Sequence, residues 1–315
     1  MTAALASSAM TVSLALATAP AQASPSAAAN VHYHFRTINN ANDPTFNQLL
    51  GINDKGKIAG YFGSGVQGRP NKGYTVTPPY GQLKFRNQNF PGSKQTQVTG
   101  LNSNAVQVGF YSTMNTASGS NNNFGYYSIN GKHFHKVNFP AKHPASPPVD
   151  QLLGVNDQGL AVGFYVDSHG NSHGYLYNIN TNKYVGQTLP IPGVTSVTPT
   201  GINDPDSVTG FFINSKGKTR GFLIRKASPH LFILNVPGSD ATMPFGVNKF
   251  GVVVGVYTIG SNNFGFTWSR GNGFQTIQDP NGPNQTFVNG INSLGELVGF
   301  YVGPHGNTNG FLAKP

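Results

Sequence analysis

Gly154-Val155-Asn156-Asp157-Gln158-Gly159-Leu160-Ala161-Val162-Gly163-Phe164-Tyr165 is the stretch on which the fold turns. Two apolar runs flank a short polar centre. Asn and Asp accept turn geometry, and a Gly closing the turn can take positive φ, so the segment reads as a tight β-hairpin. Near-copies recur along the chain. The Gly-aliphatic-Asn triplet returns at Gly51, Gly100, Gly154, Gly201, Gly246 and Gly290, in steps of 49, 54, 47, 45 and 44 residues. A second Gly follows each first one by nine residues, at Gly60, Gly109, Gly163, Gly210, Gly255 and Gly299, and aromatic residues come after it. A gap that never changes is what a hairpin with one fixed turn demands.

A third landmark pairs Gly with an aromatic ring: Gly73-Tyr74, Gly125-Tyr126, Gly174-Tyr175, Gly221-Phe222, Gly265-Phe266 and Gly310-Phe311. Its distance from the second Gly varies, at 13, 16, 11, 11, 10 and 11 residues. A fourth strand then runs to a proline, as in Lys84 to Pro91 or Tyr184 to Pro190. Each unit is therefore four short strands, A to D, which is one blade of a β-propeller. The expected cores are 45–91, 94–140, 148–190, 195–237, 240–280 and 284–315. The last unit stops after its third strand, and its missing fourth is available in 31–39, whose His32-Tyr33-His34-Phe35 resembles the fourth strands of other units. The fold class is all-β: one six-bladed β-propeller over 31–315, closed by the N-terminal strand completing the last blade. Closure removes the strand edges that invite aggregation.

The repeat resembles the HAF-family extracellular repeats of bacteria, in its G-[IVL]-N start, its fixed second Gly and its H-[AG]-F-like third landmark, here His173-Gly174-Tyr175. The likeness covers about 31–315. It implies a secreted propeller and carries over no catalytic residue. Residues 1–30 agree with export. They are rich in Ala, Ser and Thr, with an apolar stretch from Ala9 to Ala19 and an Ala21-Gln22-Ala23 site before Ser24, although no basic residue precedes that stretch. We read them as a signal peptide and disordered leader. The apolar stretch is too short to span a bilayer, so an extracellular protein with no transmembrane segment is expected.

Composition narrows the chemistry. Cys is absent, which excludes disulfides and thiolate sites. Charged residues make up 10%, far below the typical level of about 25%. Net charge is +10, which points to acidic partners, but no run of four Lys or Arg occurs, so no specific nucleic-acid partner is expected. Gly63 to Gly68 spells GxGxxG, yet Arg69-Pro70 and a strand follow where a nucleotide site needs a helix.

Strand order puts the A–B and C–D turns on one face and the B–C and D–A loops on the other. The A–B turns are uniform, so function is sought on the B–C/D–A face. Candidate acid–base residues there are Asp150, Asp167, His169 and His173. The bland alternative is a set of solvated loop histidines plus one His of the repeat. Candidate ligand-binding residues are Arg69, Lys72, Lys218, Arg220 and His305. The Asn that recurs in every hairpin reads as a turn cap. No metal site or cofactor is assigned. Two functions stay open: a monomeric binding or scaffold propeller for an extracellular polysaccharide or cell-envelope polymer, and a carbohydrate-active enzyme, a lyase sooner than a hydrolase.

Overall fold

The computed structural model describes residues 31–116, 120–185, 191, 193–225 and 230–315. The leader read as a signal peptide lies outside them, as does the end of the third blade's expected D strand at Pro190. The described chain is six four-stranded antiparallel sheets, each in A-B-C-D order. Blade 1 comprises Asn47–Ile52, Ile58–Phe62, Lys72–Val76 and Arg86–Asn87. Blade 3 comprises Asp150–Val155, Leu160–Val166, Ser172–Asn178 and Lys183–Tyr184. In blade 6, Thr286–Ile291, Leu297–Val302 and Thr308–Lys314 are joined by His34–Thr37, whose residues pair with Lys314 back to Phe311. The N-terminal strand thus closes the ring. No helix among the described residues is long and apolar enough to cross a membrane.

The three glycine landmarks have three steric causes. The first Gly of each unit follows a β-bulge, between Leu49 and Gly51 in blade 1 and at the matching place in every other blade. These six glycines meet around the axis. A Cβ added to any of them would stand 3.1 to 3.3 Å from the Cα of the next blade's glycine. The second Gly lies against its own A strand, where a Cβ would collide with the carbonyl oxygens of Gln48, Gln97, Gln151, Thr198, Met243 and Phe287. The third lets neighbouring blades touch: Gly174 lies on Pro199 and Gly221 on Pro244. The aromatic residues beside it, Tyr74, Tyr126, Tyr175, Phe222, Phe266 and Phe311, are among the largest fully buried side chains. Each such ring stabilises the fold by roughly 1.5–3 kcal/mol through burial.

The hairpin asparagines join the blades as well as cap the turns. Each Oδ1 accepts N–H groups of its own turn, as Asn53 does from Lys55 and Lys57. Each Nδ2 donates to the backbone carbonyl of the next blade's asparagine, from Asn53 through Asn102, Asn156, Asn203, Asn248 and Asn292 back to Asn53, at 2.8 to 3.3 Å. The cycle is complete. The turn's last residue takes positive φ, as Gly in four blades and as Ala105 and Asp206 in the other two.

The D strands are shorter than the sequence suggests. The expected strand from Lys84 to Pro91 is a 3-10 turn, Gln82–Lys84, followed by the two-residue Arg86–Asn87. Only their inner edge can pair, so the outermost segments leave the ladder where their side chains meet solvent.

Candidate functional site

The residues singled out from sequence do not converge. Arg69 and Lys72 belong to blade 1, the four acid–base candidates to blade 3, Lys218 and Arg220 to blade 4, and His305 to blade 6. Lys72 is the first residue of its C strand and His173 and Arg220 are the second of theirs, so none of the three lies in the loop where it is expected. Arg69 is held by Asp43 at 2.6 Å. Burial disfavours the charged form of Asp43, but hydrogen bonds from Arg69 and Thr45 outweigh it and keep the carboxyl below its usual range. Arg220 donates to the carbonyls of Thr219 and Asp240. Lys218 and His305 are exposed.

Blade 3 divides its four candidates. Asp150 is the first residue of the A strand, not a loop residue, and is only 5% exposed. Its carboxylate accepts from the Tyr175 hydroxyl and from the Phe139 N–H, both at 2.6 Å. Burial pushes its carboxyl up to about 7, against the pull of those two hydrogen bonds. The same place in four other blades holds Asn47, Thr96, Thr242 and Thr286, and each accepts the N–H of the chain leaving the previous blade. Asp150 is therefore a structural latch built from an ionisable group.

Asp167 and His173 do meet, with Oδ2 and Nε2 2.8 Å apart. Partial burial raises the Asp167 carboxyl. The His173 hydrogen bond and the N–H groups of Asn171 and His169 overcome this and hold it well below the carboxylate range. The Tyr165 ring stacks on His173 at 5.0 Å. His169 contributes its backbone to this loop, and its side chain is exposed. Among the described residues, no group of three or more His, Asp or Glu is placed to hold a metal ion.

Concavities also mark the axis and the seam of the ring. One is a well of about 110 Å³ on the axis of the A–B face, lined by the asparagine cycle and by Asp54, Asp157 and Asp204. Those carboxylates are occupied: each accepts a backbone N–H of the preceding blade, from Ser293, Ser103 and Asp157. The other is a groove of about 750 Å³ at the seam between the closing blade and blade 1. That is within the roughly 300–1,000 Å³ of small-molecule sites.

The seam groove is built from both ends of the ring. Asn40, Ala41 and Asn42 descend from the closing strand. Phe62, Lys72, Tyr74, Phe85, Asn87 and Asn89 come from blade 1, and Gln82 comes from its C–D loop. Tyr74 and Phe85 meet edge to face at 4.9 Å, with Phe62 stacked on Tyr74 at 6.4 Å. Gln82 fastens the loop to the closing strand, donating to the Asn39 carbonyl and accepting from the Ala41 N–H. Arg36 donates to Pro79 on the same loop. Of the sequence candidates, only Lys72 lines this groove. The amides were missed. Their one signal was blade 1's long stretch from Val76 to Arg86, the C–D connection least like the other units.

No family model matches the chain, and no curated protein matches it. Solved structures do. TolB from Acinetobacter baumannii is 14% identical with a TM-score of 0.54, over 76% of this chain and 56% of that one. This chain therefore spans just over half of that TolB chain. A putative TolB from Agrobacterium tumefaciens is 12% identical with a TM-score of 0.54, over 85% and 90% of the two chains. A fungal six-bladed lectin, Aleuria aurantia lectin, is 11% identical with a TM-score of 0.51, over 85% and 93%. At such identities the likeness is one of fold: a six-bladed β-propeller.

Proposed function

We propose that this protein is an exported, non-enzymatic carbohydrate-binding propeller, with the seam groove as its site. The carrying observation is the groove's lining, where aromatic rings lie among five primary amides and one lysine, with no carboxylate. Rings receive the apolar C–H faces of a sugar, and amides hydrogen-bond its hydroxyls. A hydrolase needs two carboxylates about 5–9 Å apart, and this lining supplies neither. The lectin of similar shape, described with a fucose recognition mode, supports the reading. The leader and the likeness to HAF-family repeats support an extracellular setting, with a polysaccharide or cell-envelope polymer as the partner.

One observation favours a second reading. Asp167, His173 and Tyr165 form a compact trio in blade 3, and a lyase acting on a uronate chain needs such a base. A panel of neutral and acidic polysaccharides incubated with the purified protein separates the two. Retained binding without unsaturated products or new reducing ends is expected. Turnover that His173→Ala abolishes would replace the binding reading with the lyase.

A further inference from the structure

The groove's hydrogen-bonding capacity is lopsided. The Asn40 Oδ1 accepts the Asn42 N–H at 3.0 Å, the Asn87 Oδ1 accepts the Asn89 N–H at 2.8 Å, and the Asn89 Oδ1 accepts the Gly73 N–H at 2.9 Å. Only an oxygen can accept these bonds, so the orientation of each amide is settled by the backbone it meets. Each of these three oxygens is turned to protein and its NH2 is left over. None of these three NH2 groups has a partner among the described residues. Gln82 uses both ends of its amide on the closing strand, and Asn42, at the exposed rim, is the one lining amide whose oxygen has no partner among the described residues. Lys72 adds an ammonium that uses one donor on the Lys94 carbonyl and keeps two.

Charge runs the same way. Lys84 and Arg86 flank Phe85 on the blade 1 wall, both exposed. The carboxylate nearest in sequence to the other wall is Asp43, next to Asn42, and Arg69 neutralises it at 2.6 Å. A neutral sugar hydroxyl must donate as well as accept, and donors without acceptors are costly to cover. A carboxylate only accepts. Its two oxygens match a cluster of N–H donors beside a cation, where charge-assisted hydrogen bonds are about twice as strong as neutral ones.

We infer that the seam groove takes an acidic sugar residue, with the carboxylate held by Lys72 and the amide nitrogens of Asn40, Asn87 and Asn89. This rests on the carbohydrate-binding reading above and names the class of sugar. The sugar's ring stands over Phe62 and Phe85, whose rings are half-buried.

The test is calorimetric titration of the intact protein with oligogalacturonate and with the same oligomer after its carboxyls are reduced to alcohols. Two variants accompany it. Asn89→Asp keeps an oxygen for the Gly73 N–H but replaces the NH2 with a charged acceptor, and Lys72→Met removes the cation while keeping the stem. Thermal unfolding verifies that both are folded. Expected are binding of the acid form, at least about tenfold weaker binding of the reduced form, and a loss of about tenfold or more in each variant. Equal binding of the two oligomers overturns the acidic-sugar inference and leaves carbohydrate binding standing. Acid-specific binding that neither variant weakens overturns the placement in this groove. Failure of both oligomers to bind, with a neutral glycan bound instead, overturns the inference alone, whereas failure of every glycan overturns the reading beneath it.

Discussion

Asp150 shows how one atom can change what a repeat does. Where other blades latch their neighbour with a threonine hydroxyl or an asparagine amide, this blade uses a buried carboxyl pushed up to about 7. A folded-state value above the ordinary unfolded one near 4 means that the native protein holds the proton more tightly. The resulting stability is fully present below about pH 4 and is lost as the pH rises through 7, amounting to a few kcal/mol. Asp150→Asn should therefore leave stability near that of the parent at pH 4 and raise it by about 2–4 kcal/mol at pH 8. Denaturant titrations at the two values measure the difference, and a difference that does not grow with pH would count against the carboxyl being strained by burial. Blade 2 carries the opposite economy. Both side-chain polar atoms of Gln107, and the hydroxyls of Tyr126 and Ser128, are buried with no partner among the described residues, a polar layer that ordered water would satisfy.

At the scale of the element, the hairpin couples two jobs in one residue. Asn203 accepts the Ser207 N–H and donates to the Asn248 carbonyl, each at 2.8 Å. Asn203→Ala abandons both partners in a buried place, at a cost of roughly 2–3 kcal/mol. The measurement is the urea midpoint, and a shift no larger than that of an exposed asparagine such as Asn272→Ala would show the cycle to be incidental. The hairpin was legible in the sequence because sterics repeat with it. Gly60 and Gly210 are glycine for one reason, a carbonyl where a Cβ would be, so the gap survives while the rest drifts. The recurrent asparagine was legible as a turn cap, but its second bond, to the next blade, crosses 45 residues or so and left no local trace. The groove was illegible for a related reason. Asn40 and Asn89 belong to different blades, and Gln82 lies in a loop that no other unit copies. Asp150 was misplaced because a carboxylate before an apolar run looks like a loop residue until the tyrosine above it is seen.

For the whole molecule, the closing strand carries more than its four residue pairs suggest. Thr37 meets the Tyr301 hydroxyl at 3.0 Å, Asn39 exchanges hydrogen bonds with Asn309 and Gly310, and Arg36 and the Asn39–Ala41 backbone anchor the loop of blade 1. Removing residues 31–41 should expose the Thr308–Lys314 edge and release both walls of the groove. The expected result is a Tm lowered by at least about 5 °C, with association that grows with protein concentration, seen by thermal scanning and light scattering. An unchanged Tm in a monomer would show that the seam is not what holds the ring shut. The six axial glycines have a different consequence, one of bore. Because each already touches the next with no side chain between them, the circle is drawn at its smallest circumference. A side chain at any one of them would push its blade off the next, and a ring that widens to make room stretches the asparagine bonds around the axis. The bore of the ring is set by the residue that has least to pack.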